Sequence, residues 1–246
     1  MRLWIGAAAS ALTMMTAGAA WSAPSLSQTP YSPVVTSGET SVEVRGGRSF
    51  GKASDGDTGA IVELEHGFDQ GFSASLVAEF EKHPSERSKL DSVGVEVIVP
   101  TGVLPLWDIE TGVYAEYEQR LHNESGVGEV KALFMKREGP FEGRLNLVAT
   151  HPFSRNDHVT EFDYIASADW RVKGPVRLGV QALGEIGHDG HFGGRLEHYI
   201  GPAAKTVVNF PYVGVKLQAA YLVPVGPARR GTDGQFRFGV ELEKRW

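Results

Sequence analysis

The sequence predicts an all-β fold, an antiparallel transmembrane β-barrel of about 12 strands. Three observations predict it. Segments of roughly ten residues recur along the chain with apolar side chains on one face and charged side chains on the other. The chain opens with a long apolar stretch, and it closes on QFRFGVELEKRW, a strand-like segment ending in an aromatic residue. Read two residues at a time, that last segment puts Phe236, Phe238, Val240, Leu242 and Trp246 on one side and Gln235, Arg237, Glu241, Glu243 and Arg245 on the other.

The opening stretch has the form of an export signal. Arg2 precedes residues 3–20, almost all apolar or small, and Ala20-Trp21-Ser22 supplies a small-x-small triplet of the kind signal peptidase cuts. A transmembrane helix is the alternative, because the run approaches the roughly 18 residues that span a bilayer. The Gly and Ala content, the terminal position and the triplet favour export, with a cut after Ser22 or Ala20. The expected organisation is a signal peptide over 1–22, a flexible periplasmic lead-in rich in Ser, Thr and Pro over 23–38, and a barrel over 39–246. Beyond the signal no apolar run is long enough for a helical span, so a membrane segment of the mature chain must be a strand.

Composition excludes some partners. With 24 Lys plus Arg against 30 Asp plus Glu there is no basic footprint for nucleic acid, and loss of Arg2 with the signal makes the net charge of −6 more negative still. The chain has no Cys, which suits passage through an oxidising periplasm.

The strands follow in order. Residues 41–50 alternate least clearly; 60–68, 72–81, 93–99, 108–120, 129–137, 141–150, 161–172, 176–186 and 213–223 alternate well, and 235–246 is the segment already described. The stretch 195–200 is the weakest, because His198 falls in its apolar row. Counting it gives an even number of strands, as single-chain bacterial barrels have. One face collects the charges, among them Glu63, Glu65, Glu79, Glu96, Glu116, Arg144, Asp163, Arg171, Arg177, Glu185, Lys216, Arg237 and Glu241. In a soluble sandwich that face would be the outside; in a membrane barrel the geometry is inverted and these residues line the lumen. The export signal, the terminal aromatic and the uniform strand length without helical cover select the barrel.

Turn signals alternate as a barrel requires. Asp69-Gln70, Gly139-Pro140 and Lys173-Gly174-Pro175 mark short periplasmic turns, while the links over 100–106 and 202–210 read as longer ones. Polar loops over 51–58, 82–90, 122–126, 152–160, 187–194 and 224–234 belong to the other side. No link reads as helical.

A carboxy-terminal strand alternating into a final aromatic resembles the signal that bacterial outer-membrane barrels present to their assembly machinery, with Phe236, Phe238, Val240, Leu242 and Trp246 as the signal residues. The resemblance implies outer-membrane localisation, with lipid and the assembly machinery as partners. A second stretch, from VRLGVQALGEIG through RLEHYIGPAA to the last strand, is similar to the carboxy-terminal third of small barrels of the phenol-degradation transporter family. That resemblance implies transport.

Chemistry is sparse. His188, Asp189 and His191 in GHDGHFGG, with Glu197 and His198 nearby, are the best metal-like cluster, but Gly187, Gly190, Gly193 and Gly194 make an exposed polar loop the simpler reading. Ser154, Asn156, Asp157 and His158 are consecutive loop residues, which seldom form a catalytic geometry, and His66 fits the membrane interface. Asn123-Glu124-Ser125 matches a glycosylation acceptor only by chance in a bacterial barrel. No enzyme activity, cofactor or metal is expected. The carboxylate pairs Glu63/Glu65, Glu79/Glu81 and Glu116/Glu118 are read as salt-bridge ladders rather than cation ligands. The expected function is a passive or gated channel for small solutes through a charged lumen. The alternative is a non-conducting structural or ligand- or surface-binding barrel, and behind it a lipid-modifying barrel enzyme.

Overall fold

The structure, a computed structural model, describes residues 25–121, 125–154, 158–193 and 196–245. The expected signal peptide, Asn123, Asn156, Asp157 and Trp246 lie outside the described residues.

The strands are β1 (Glu39–Phe50), β2 (Thr58–Gly67), β3 (Ser73–Lys82), β4 (Lys89–Leu104), β5 (Ile109–Arg120), β6 (Val127–Glu138), β7 (Phe141–Pro152), β8 (Glu161–Lys173), β9 (Val176–His188), β10 (His191–Phe192), β11 (His198–Asn209), β12 (Gly214–Val225) and β13 (Gly234–Arg245). Each long strand pairs antiparallel with its neighbours along the chain, and β13 also pairs with β1, from Glu39↔Arg245 to Phe50↔Gly234. That last ladder leaves no free edge. The two-residue β10 only folds back on β9, so the closed barrel has twelve strands. Two short 3-10 turns, Lys52–Ser54 and Gly226–Arg230, lie in links that the sequence reading left without helix.

The two rows of each strand face different media. On β9 the outward Leu178 and Val180 are 50% and 48% exposed, while Gln181, in the other row, is 8% exposed. The same holds around the circumference, with Val42, Val62, Leu76, Val95, Val130, Leu217 and Val240 exposed. Such a continuous apolar belt has no place in water, and in a bilayer it is the lipid contact. Exposed aromatic rings flank it. Phe68, Trp107, Trp170, Phe210 and Tyr212 ring the end where β1 begins and β13 finishes, and Phe50, Tyr117, Phe153, Phe192 and Tyr221 ring the other, the loop end.

Two strands run further than the sequence suggests. β4 continues through Pro100 to Leu104, and β11 continues through Pro202 to Asn209, so both links read as long are short turns. Proline lacks a ladder donor and often ends a strand. Here β4 absorbs Pro100 with a register shift between Pro100 and Gly102, and the β11–β12 ladder steps from Ile200↔Val223 to Ala203↔Ala220 without changing register.

Candidate functional site

The segment expected as a flexible periplasmic lead-in is, over its described part, threaded through the barrel as an internal strap. Its path is fixed by what its residues touch. Leu26 lies against Gly47 near the loop end, Pro33 lies against Gly112 near the other, and Gly38 N–H donates to Gly67 O at 2.8 Å before the chain turns up into β1. The walls are cut to receive it. A Cβ on Gly47 would stand 2.8 Å from the Leu26 carbonyl oxygen, and one on Gly112 would stand 2.9 Å from Pro33 Cβ, so an alanine at either position displaces the strap. Composition misled the reading: Ser, Thr and Pro suit a loop, but their hydroxyls and carbonyls also suit a segment that must satisfy polar walls on several sides.

One flank of the strap is tightly held. Tyr31 N–H donates to Asn146 Oδ1 at 2.7 Å and Asn146 Nδ2 donates back to Tyr31 O at 3.1 Å, so a single side chain pairs with the strap as a neighbouring strand would. The Tyr31 ring packs on Tyr114 with centroids 4.9 Å apart, and Lys131 Nζ sits 4.4 Å and 3.9 Å from the two ring centres. Arg45 donates to the Tyr31 hydroxyl, to Ser27 O at 3.1 Å, to Glu43 at 2.9 Å and to Glu63, with Glu96 at 3.9 Å. Glu79 accepts from Ser25 at 3.0 Å and from Ser27 at 2.8 Å. Beneath the ring, Ile98, Tyr114 and Leu133 form an apolar bed that also meets Val35.

The other flank is loose. Arg144 donates to Pro30 O at 3.2 Å and Arg237 to Gln28 O at 2.9 Å, but between the strap and β8–β13 a cavity of about 60 Å³ remains. Below it, toward the start of β1, a larger cavity of about 360 Å³ separates a wall bearing Glu39, Glu43, Glu65 and Glu241 from a wall bearing Arg144, Arg177 and Lys205. The basic residues are paired: Lys205 reaches Glu142 at 2.7 Å and Asp169 at 2.5 Å, Arg144 reaches Glu142 at 2.9 Å, and Arg177 reaches Asp169. Toward the loop end a second apolar cluster, Val148, Ile165, Leu183, Tyr199, Leu222 and Ala228, fills the β7–β12 side.

The structure scatters the candidate residues over these settings. Glu63 and Glu96 join the Arg45 cluster, Glu116 accepts from Tyr114 at 2.7 Å, and Glu65 faces the larger cavity. Glu185 accepts from the Glu197 N–H at 2.9 Å, Lys216 bridges Glu241 at 3.1 Å and Glu243 at 2.6 Å, and Asp163 is half-buried. Arg171 is exposed at the end of β8, not part of either cavity. Phe236, Phe238, Val240 and Leu242 face outward and are 39% to 48% exposed. His188 and His191 stack across a turn with ring centres 5.8 Å apart, and among the described residues no three potential ligands converge on a metal position. His66 bonds Thr40 at 2.8 Å and meets Phe68 edge-on.

Sequence reasoning missed Tyr31 and Asn146. The available signals were small: one aromatic in an otherwise polar, proline-punctuated segment, and Gly47 and Gly112 interrupting a row that otherwise carries large polar groups.

No family model matches the chain, so the resemblance to the phenol-degradation transporter family has no support from that side, and no curated protein matches it. Solved structures do resemble it. An outer membrane channel from Pseudomonas putida F1 superposes with a TM-score of 0.59 at 11% identity, covering 92% of this chain and 99% of that one. The NanC porin gives 0.55 at 9% identity over 83% of this chain and 100% of that one, and the KdgM porin gives 0.53 at 10% identity over 84% and 99%. The fold is therefore that of bacterial outer-membrane β-barrel channels.

Proposed function

We propose that the protein is an outer-membrane channel for small solutes whose lumen is gated by the strap. In this reading the end where β1 begins and β13 finishes is periplasmic, while the strap enters from the loop end, and solutes meet the larger cavity from the periplasmic side. The observation that carries it is the strap itself: residues 25–36 cross the interior and leave beside them a larger cavity lined by both acidic and basic side chains. The resemblance to solved channels supports the same class. The strap is held by side chains, chiefly the Asn146 clamp and the Arg45–Tyr31 contact, and belongs to no ladder of the sheet, so it can leave without unravelling a strand.

A second reading, a non-conducting barrel that binds ligands or serves a structural role, is favoured by the apolar cluster at the loop end, which narrows what the strap leaves. Conductance in planar bilayers separates the two. Deleting residues 25–36, or changing Asn146 to Ala to release the clamp, is expected to raise single-channel conductance several-fold over the intact protein. Equal conductance in all three removes the gate. No conductance in any of them, with the barrels shown folded by faster gel migration before boiling, leaves the non-conducting reading.

A further inference from the structure

Arg237 differs from the other cations buried in the barrel. It is 4% exposed; one terminal nitrogen donates to Gln28 O at 2.9 Å and the other to Gln235 Oε1 at 2.9 Å, both neutral acceptors. Its Nε has no partner, and among the described residues no carboxylate lies within ion-pair distance. A buried charge without an opposite charge is expensive, and folded proteins pair such groups or present them to a ligand. Arg237 lines the 60 Å³ cavity between the strap and β8–β13.

That cavity collects further unpaired polar groups. Ser167 Oγ and Gln28 Oε1 are also buried without partners, and both residues line the same space. The Gln28 amide can present its N–H₂ by a half-turn, because oxygen and nitrogen exchange places at no steric cost. Leu26, Pro30, Ala203 and Ala220 add aliphatic surface, and the other charged residues of the lining, Arg45, Arg144, Lys205 and Asp169, are already in ion pairs. The space holds roughly four water-sized groups.

We infer that this chamber binds a small carboxylate with a short aliphatic body, its oxygens taking hydrogen bonds from Arg237 Nε and the Ser167 hydroxyl and its body lying against Leu26 and Ala203. A carboxylate supplies the missing counter-charge and satisfies the stranded donors together. Water alone would satisfy the hydrogen bonds but leave the charge uncompensated. Because the strap forms one wall, the ligand also ties the strap to β8–β13. The inference concerns binding to the closed barrel and holds whether or not the lumen conducts.

Calorimetric titration of the detergent-solubilised full chain at fixed ionic strength tests it, with propionate as the probe and propionamide and chloride as controls. Propionate is expected to bind saturably at one site, and neutral propionamide not at all. Arg237→Gln is expected to weaken propionate roughly 10- to 100-fold, the range for loss of a charged hydrogen bond. Ser167→Ala, which removes a hydroxyl that bonds no group of the described strap, weakens it less, roughly 5-fold. If Arg237→Gln disturbs assembly, as heat-dependent gel mobility would reveal, Ser167→Ala in an intact barrel still decides the matter. Equal heats for propionate and propionamide, propionate affinity unchanged in both variants, or displacement by chloride at equal concentration would overturn the proposal.

Discussion

Arg45 and Arg237 occupy the two flanks of one strap, and each is about as buried as the other. Arg45 is surrounded by the carboxylates of Glu43, Glu63 and Glu96, while Arg237 has two neutral oxygens and one unpaired nitrogen. The first arrangement locks the strap against β1–β6; the second leaves a chamber. The contrast teaches that burial of a charge in this barrel is not one phenomenon. Where acids from β1, β2 and β4 converge, the charge is structural, and where none converges it is available.

The comparison is tested most sharply through the partners. Glu63→Ala leaves Arg45 with reduced compensation in a closed space and is expected to cost on the order of 3 to 5 kcal/mol in reversible urea unfolding of the refolded barrel. Arg237→Met removes a charge that had no counter-ion and is expected to be neutral or mildly stabilising in the absence of ligand. Similar losses for both would erase the distinction between the flanks.

The next effect concerns the outer row. Val180→Arg places a charge on the lipid face at mid-strand and is expected to cost on the order of 2 to 4 kcal/mol in the same assay. Its neighbour Gln181 faces the interior, so Gln181→Arg should cost clearly less. A fluorescent label at 180 should be quenched by a lipid-soluble quencher in the acyl chains and one at 181 should not. The smallest effect is expected at Gly112→Ala, whose Cβ would stand 2.9 Å from Pro33 Cβ and 3.2 Å from the Val99 carbonyl oxygen, so that Pro33 is pushed away and the wall gives only slightly. We expect a loss of about 1 kcal/mol, the scale of an overpacked methyl, together with more frequent channel openings. An unchanged gating pattern would mean that the Pro33 contact does not hold the strap.

Much of the architecture was legible in the sequence because a strand has a period of two and a barrel wall has two faces, so each residue's row can be counted from its neighbours. The position of β9 and the outward placement of Val180 follow from that count. The true ends of β4 and β11 do not, because whether Pro100 or Pro202 stops a strand depends on the partner strand's tolerance of a missing donor. Arg171 shows the other failure: its parity puts it in the charged row, but its position at the end of β8 leaves it in solvent.

By itself the sequence determined which side chains share a face, how many strands cross and that the outer face is apolar, since these are local properties repeated along the chain. Tertiary structure alone decided that residues 25–36 lie inside. Tyr31 and Asn146 are separated by 115 residues, and neither carries a local signal that names the other. Their meeting depends on ring closure, which brings β1 beside β13 and encloses a space that takes one extended segment and leaves the two cavities beside it. The same closure, by setting three carboxylates around Arg45 and none around Arg237, turned a single charged row into a lock on one side and a chamber on the other.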